Sequence, residues 1–128
     1  MSETIFRRVE EAIRGAIKSR EDRWGVLNIS EPSLDLLKQE IMERLSELGI
    51  RDDKLDIEII ATFDKRYYPA VKPHVRIGIK LPKSNISCVA AYDTDAITLY
   101  TTLFNTYTAS AAVKRDKTSD IVVTCWRS

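Results

Sequence analysis

Histidine is almost missing from this chain: His74 is the only one. A Ser-His-Asp or Cys-His nucleophilic arrangement would have to be built around it. It follows Pro73 at the start of an alternating strand, where an exposed histidine is the ordinary outcome. The four glycines, Gly15, Gly25, Gly49 and Gly78, stand singly, which excludes a glycine-rich phosphate loop or a dinucleotide fingerprint. Cys88 and Cys125 are too few and too far apart for a zinc knuckle, even with His74. Each sits in an apolar, strand-like run and reads as a buried free thiol, which fits a reducing compartment; a disulfide between them is the alternative. No apolar run approaches the ~20 residues of a membrane span. The start, Met1 to Arg8, turns charged at once and does not read as a secretory signal. The expectation is a cytoplasmic protein without membrane contact. One glutamine and three asparagines beside plentiful Glu, Lys and Arg point to a thermophilic source.

The 128 residues, 44% hydrophobic and 30% charged, fit one globular domain, 1–128. Such a chain buries about two thirds of its extended surface, enough for a core without metals. The net charge of +1 conceals a polarity. Residues 31–60 carry nine acids and four bases, whereas residues 61–90 carry six bases and one acid, Asp64. Opposite blocks of this kind can pair within the molecule or between copies, or present the basic part to a polyanion.

Residues 4–20 read as a helix, with Phe6, Val9, Ile13, Ala16 and Ile17 on one face. The stretch 21–33 reads as a loop. A second helix is signalled by Ser30 or Ser33 as cap, Pro32 in the first turn, the stripe Leu34, Leu37, Ile41, Leu45, Leu48, and Gly49 as its stop. Three strands follow: 55–63, with Leu55, Ile57, Ile59, Ala61 and Phe63 on one face; 74–81, with Val75, Ile77, Ile79 and Leu81 inward; and 86–92, ended by Asp93-Thr94-Asp95. Residues 95–113 carry strand-favouring threonines and aromatics, yet Ala96, Leu99, Tyr100, Leu103, Phe104, Tyr107 and Ala111 fall on one side of a helical wheel. The spacing predicts a helix there, capped from 93–95. A last strand runs from Asp120 to Trp126. The expected class is α+β: N-terminal helices, then a mostly antiparallel sheet of four strands with one crossover helix, in the order α-α-β-β-β-α-β. If 95–113 is extended, the sheet becomes a six-stranded antiparallel meander.

No catalytic constellation emerges, and neither a metal nor a cofactor is expected. An Asp64 and acid-x-Lys80 nuclease arrangement is incomplete, because Gly78 stands two residues before Lys80, where a metal-holding acid is wanted. A metal-dependent phosphodiesterase or nuclease using Asp64, Asp93 and Asp95 is the second alternative. Asp93 and Asp95 read more simply as helix caps. The most informative feature is the basic 65–83 hairpin. Lys65, Arg66, Lys72, Arg76 and Lys80 would meet phosphates, and Tyr67 and Tyr68 would stack on unpaired bases. Arg76 and Lys80 lie four residues apart on the outward strand face, ~13 Å apart along the strand. Trp24, in a loop between cations, reads as a plug of the core beneath it, with an interface anchor as the alternative. The functional expectation is a small non-enzymatic, homo-oligomeric binding protein that takes nucleic acid on this hairpin. The alternative is an assembly or inhibitor module that meets a protein partner through the acidic 31–60 region.

Overall fold

A computed structural model describes residues 2–64, 72–97 and 112–128. Helix α1 runs Ser2–Arg20, strand β1 Val26–Asn28 and helix α2 Glu31–Ser46. Strands β2 (Asp56–Asp64), β3 (Lys72–Leu81), β4 (Ile86–Ile97), β5 (Ala112–Arg115) and β6 (Val122–Arg127) follow. The sheet has six strands in the order β1-β5-β4-β3-β2, with β6 also on β4, and every pairing is antiparallel. The protein is α+β, as the alternation and the two helical stripes require.

Both helices form where their apolar residues recur at helical spacing. Val9, Ile13, Ala16 and Ile17 of α1 and Leu37, Ile41 and Leu45 of α2 are buried together. Pro32 occupies the first turn of α2, where its missing N–H leaves no bond unmade. Gly49 ends the helix at φ +81°, and the Ile50 N–H donates to the Leu45 carbonyl at 3.0 Å. Under the helices lies the inner face of the sheet: Val75, Ile77, Ile79 and Leu81 of β3, Cys88, Ala90 and Tyr92 of β4, and Val123 and Cys125 of β6. No described helix is long and apolar enough to cross a membrane.

Four expectations are corrected. Strand β4 does not stop at Tyr92; it continues through Asp93-Thr94-Asp95 to Ile97, with a register irregularity between Thr94 and Ala96. The two ends of the expected 95–113 helix are strand, since Ile97 pairs with Val113; its middle, 98–111, lies outside the described residues. The 21–33 loop contains β1, a three-residue strand whose pairing is supplied by β5. Cys88 and Cys125 are not free thiols. Register sets them opposite each other on β4 and β6, with Cα atoms 4.1 Å apart, and they form a disulfide. The Cys125 N–H points away from β4, so this is a pair whose side chains approach closely. The argument from free thiols to a reducing compartment falls with them.

Candidate functional site

Among the described residues, the helices cover one face of the sheet and leave the other bare. Strand alternation puts Asp56, Glu58 and Ile60 of β2, Arg76, Gly78 and Lys80 of β3, Ser87, Val89 and Ala91 of β4, and Val122, Thr124 and Trp126 of β6 on the bare face. Register arranges them in rows across the strands. Asp56, Lys80, Ser87 and Trp126 form one, Glu58, Gly78, Val89 and Thr124 the next, and Ile60, Arg76, Ala91 and Val122 the third.

Three of the large exposed hydrophobic side chains gather here: Ile60 (49% exposed), Val122 (59%) and Trp126 (45%). Between them Gly78 floors a depression of about 290 Å³, lined by Glu58, Ile60, Arg76, Lys80, Val89 and Trp126. Gly78 has no positive φ, and a Cβ there would meet only the Glu58 carbonyl at 3.7 Å. Neither backbone nor packing therefore demands glycine at this position. Its missing side chain is what opens the depression, with a cation to either side along β3 and an indole as the far wall.

The hairpin residues singled out from sequence divide. Arg76 and Lys80 are exposed on the bare face, as the alternation implies. Lys72 is in β3, in register with Asp64. Lys65, Arg66, Tyr67 and Tyr68 lie outside the described residues, in the segment joining the paired ends of β2 and β3. The face is not purely basic: Asp56 stands directly across from Lys80, and Glu58 lies one row further along. The acidic helix region is elsewhere. Glu40 and Glu43 of α2, and Glu47 just after it, lie in the helix layer, on the far side of the sheet from Arg76 and Lys80, with Arg44 held to Glu40 at 3.0 Å. One link between the acidic and basic quarters forms at the surface, Lys83 to Asp53 at 2.5 Å; the lysine lowers the carboxyl's pKa, and the carboxylate raises the lysine's.

A second depression, also about 290 Å³, lies beyond the third row, among His74, Arg76, Asp93, Ser119, Asp120 and Val122. His74 is half-buried and stands opposite Asp93 in register. The Ser119 hydroxyl accepts the Asp93 N–H at 3.0 Å and donates to the Asp120 carbonyl at 3.4 Å, so its contacts are to backbone. Among the described residues, no group of three or more His, Cys, Asp or Glu side chains is set to hold a metal ion. Trp24 is no core plug. It is 54% exposed, with the Arg23 guanidinium 4.1 Å from its ring centroid.

Trp126, Gly78, Ile60 and Val122 were missed as members of a site. The last strand is apolar on both faces, so its sequence does not say which side meets solvent. The strand alternation of β2 did set Ile60 apart from its inward neighbours, and that was the available signal.

No protein-family model, no curated protein and no solved structure matches the chain.

Proposed function

We propose that this protein is a non-enzymatic, homo-oligomeric binding protein whose bare sheet face takes single-stranded nucleic acid. The observation that carries the reading is the Gly78 depression, with Trp126 as one wall and Arg76 and Lys80 beside its floor. An exposed indole offers a stacking surface worth about 1–3 kcal/mol per base, and every base has a face to stack. Arg76 and Lys80 reach the flanking phosphates, and the sequence supplies Lys65, Arg66 and Lys72 as further cations for the same strand. Asp56 and Glu58 oppose this on the β2 side. They limit the phosphate contribution and make stacking the larger share, which favours unpaired bases over a duplex.

The test is fluorescence anisotropy with labelled single strands and duplexes, DNA and RNA, at about 50 and 200 mM salt. Two phosphate contacts give a slope of about −1.4 in log K against log salt, whereas five, with the hairpin tip engaged, give about −3.5. Trp126→Ala should weaken single-strand binding by roughly 5- to 150-fold, the value of one lost stack. Arg76→Ala with Lys80→Ala should flatten the slope. No response to any oligonucleotide at low salt rejects the reading.

A second reading has its own observation. Ile60 and Val122 add apolar exposure that nucleic acid does not need, and a partly apolar face with an indole and an arginine also suits a protein partner. In that case Ile60→Lys or Val122→Lys abolishes capture of the partner, and the oligonucleotide titration stays flat.

A further inference from the structure

We propose that β2 is an open sheet edge across which a second copy of this chain pairs, antiparallel and about a two-fold axis. The inference takes up the homo-oligomer in the reading above and is independent of what the bare face binds.

Away from β2 the sheet ends in β1 and β6, and each is blunted. At β1, three residues long, the Asp22 N–H donates to the Val26 carbonyl and the Asp22 carboxylate accepts the Val26 N–H, both at 3.0 Å. At β6, the Glu10 carboxylate of α1 accepts the Cys125 N–H at 2.9 Å, and Arg14 Nε donates to the carbonyl of Ile121, just before the strand, at 2.9 Å. Caps of this kind guard an edge against a further strand. Strand β2, at the other end, has β3 on one side and, among the described residues, no strand on the other. Its nine residues pair with β3 in unbroken register, Asp56 with Lys80 through Asp64 with Lys72, so no bulge turns the edge away. It contains no lysine and no proline, two residues that commonly guard an exposed edge. Among the described residues, no side chain or loop supplies a hydrogen bond to the outward backbone groups of 56–60.

The inner face supplies an independent observation. Ile77 and Ile79 of β3 are 0% exposed under the helices. Ile59 and Ile57, beside them in register, remain half-buried, so the covered layer thins out at β2. A second β2 laid antiparallel puts its own Ile57 and Ile59 on the same inner face, with Ile59 directly beside Ile59 in the register argued below. One edge thus offers both the free backbone groups and the matching apolar strip, as a two-fold interface demands. Charge selects the register. Pairing centred on Glu58 would oppose two carboxylates. Pairing centred on Ile59 sets Glu58 against Ile60 of the second copy, and position 54, a lysine, level with position 64, an aspartate. The two six-stranded sheets then become one.

Light-scattering mass, measured without nucleic acid over a concentration series, tests this. The wild type is expected at the mass of two chains. Ile59→Lys, which points a charge inward from the edge strand, should halve the mass, and Trp126→Ala on the bare face should leave it unchanged. Hydrogen exchange of the wild type guards against a variant that merely misfolds: protection of residues 56–60 should rise with protein concentration. A one-chain mass with concentration-independent exchange at 56–60 overturns the proposal. So does a two-chain mass that a folded Ile59→Lys keeps and Trp126→Ala abolishes. A flat oligonucleotide titration bears on neither outcome.

Discussion

Glu10 of α1 accepts the backbone N–H of Cys125 at 2.9 Å, across 115 residues of chain. This one contact joins the first helix to the last strand, and Arg14, one turn further on, repeats it at the Ile121 carbonyl. Strand β6 carries Trp126 on its other face, so α1 holds the strand that supplies the indole wall of the candidate site. Truncating the carboxylate leaves a strand N–H unpaired beneath a helix. Hydrogen bonds to charged groups contribute about 1.5–3 kcal/mol. Glu10→Ala should therefore lower stability by about 2 kcal/mol, and Glu10→Gln, whose amide oxygen still accepts, by roughly half as much. Urea unfolding measures both, and an unchanged midpoint for Glu10→Ala would mean that α1 covers β6 by shape alone.

The Cys88–Cys125 bridge fastens the same strand to β4. Closing a loop over a sequence separation of 37 contributes about 4 kcal/mol in the chain-entropy account. Replacing both cysteines by alanine should cost about that much, with an added loss from their buried sulfurs. Hydrogen exchange should then show the amides of β6 opening before those of β3. Equal protection in β3 and β6 would contradict the view that the bridge is what fastens β6.

Much of this architecture is legible in the sequence, and what is not legible depends on register. Helices α1 and α2, and the inward rows of β2 and β3, show themselves because charged and apolar residues alternate with a clear period. Arg76 and Lys80 follow as outward residues from that alternation alone. Residues 95–113 are the opposite case: threonine and aromatic content favours strand, side-chain spacing favours helix, and the pairing of Ile97 with Val113 decides the ends. Strand β1 is three residues long and exists because β5 lies beside it. Trp24 shows a loop but not which way the loop turns its indole. The disulfide needs the offset between β4 and β6, which no local pattern contains. Gly78 reads in sequence as a weak point of a strand. Only its place between Glu58 and Val89, with Trp126 near, makes it the floor of a site.

Asp52 and Asp53 are neighbours with opposite expected consequences. Asp52 is 6% exposed, and its carboxylate accepts the Lys54 N–H at 3.0 Å and the Lys83 N–H at 2.8 Å. It ties the connection after α2 to the turn between β3 and β4. Removing it strands two backbone donors, so Asp52→Ala should cost about 2–3 kcal/mol. Asp53 pairs with Lys83 at the exposed surface, where screening and side-chain entropy leave little net gain. Asp53→Ala should leave the unfolding midpoint where it was. Equal effects of the two substitutions would refute the distinction between a buried clamp and a surface pair.

Tyr92 supplies the pH dependence. Its hydroxyl is buried and finds no hydrogen-bond partner among the described residues, and burial first, then the nearby Glu21 carboxylate, raise its pKa well above the usual phenol value. A folded pKa raised above the unfolded one favours the protonated form in the native state. Below about pH 10 both states hold the proton, and the stability is fully present. Above it the unfolded chain ionises while the folded one does not, so stability falls by about 1.4 kcal/mol per pH unit until the folded pKa is reached. Tyr92→Phe removes this loss and should gain about 1.4 kcal/mol over the wild type at pH 11. At pH 8 the substitution should be neutral to slightly stabilising, because it removes a buried hydroxyl that has no partner among the described residues. Urea midpoints of the two proteins at both pH values test the sign and the size together. A difference that does not grow between pH 8 and 11 would mean that the Tyr92 hydroxyl ionises as readily in the folded protein as in the unfolded chain.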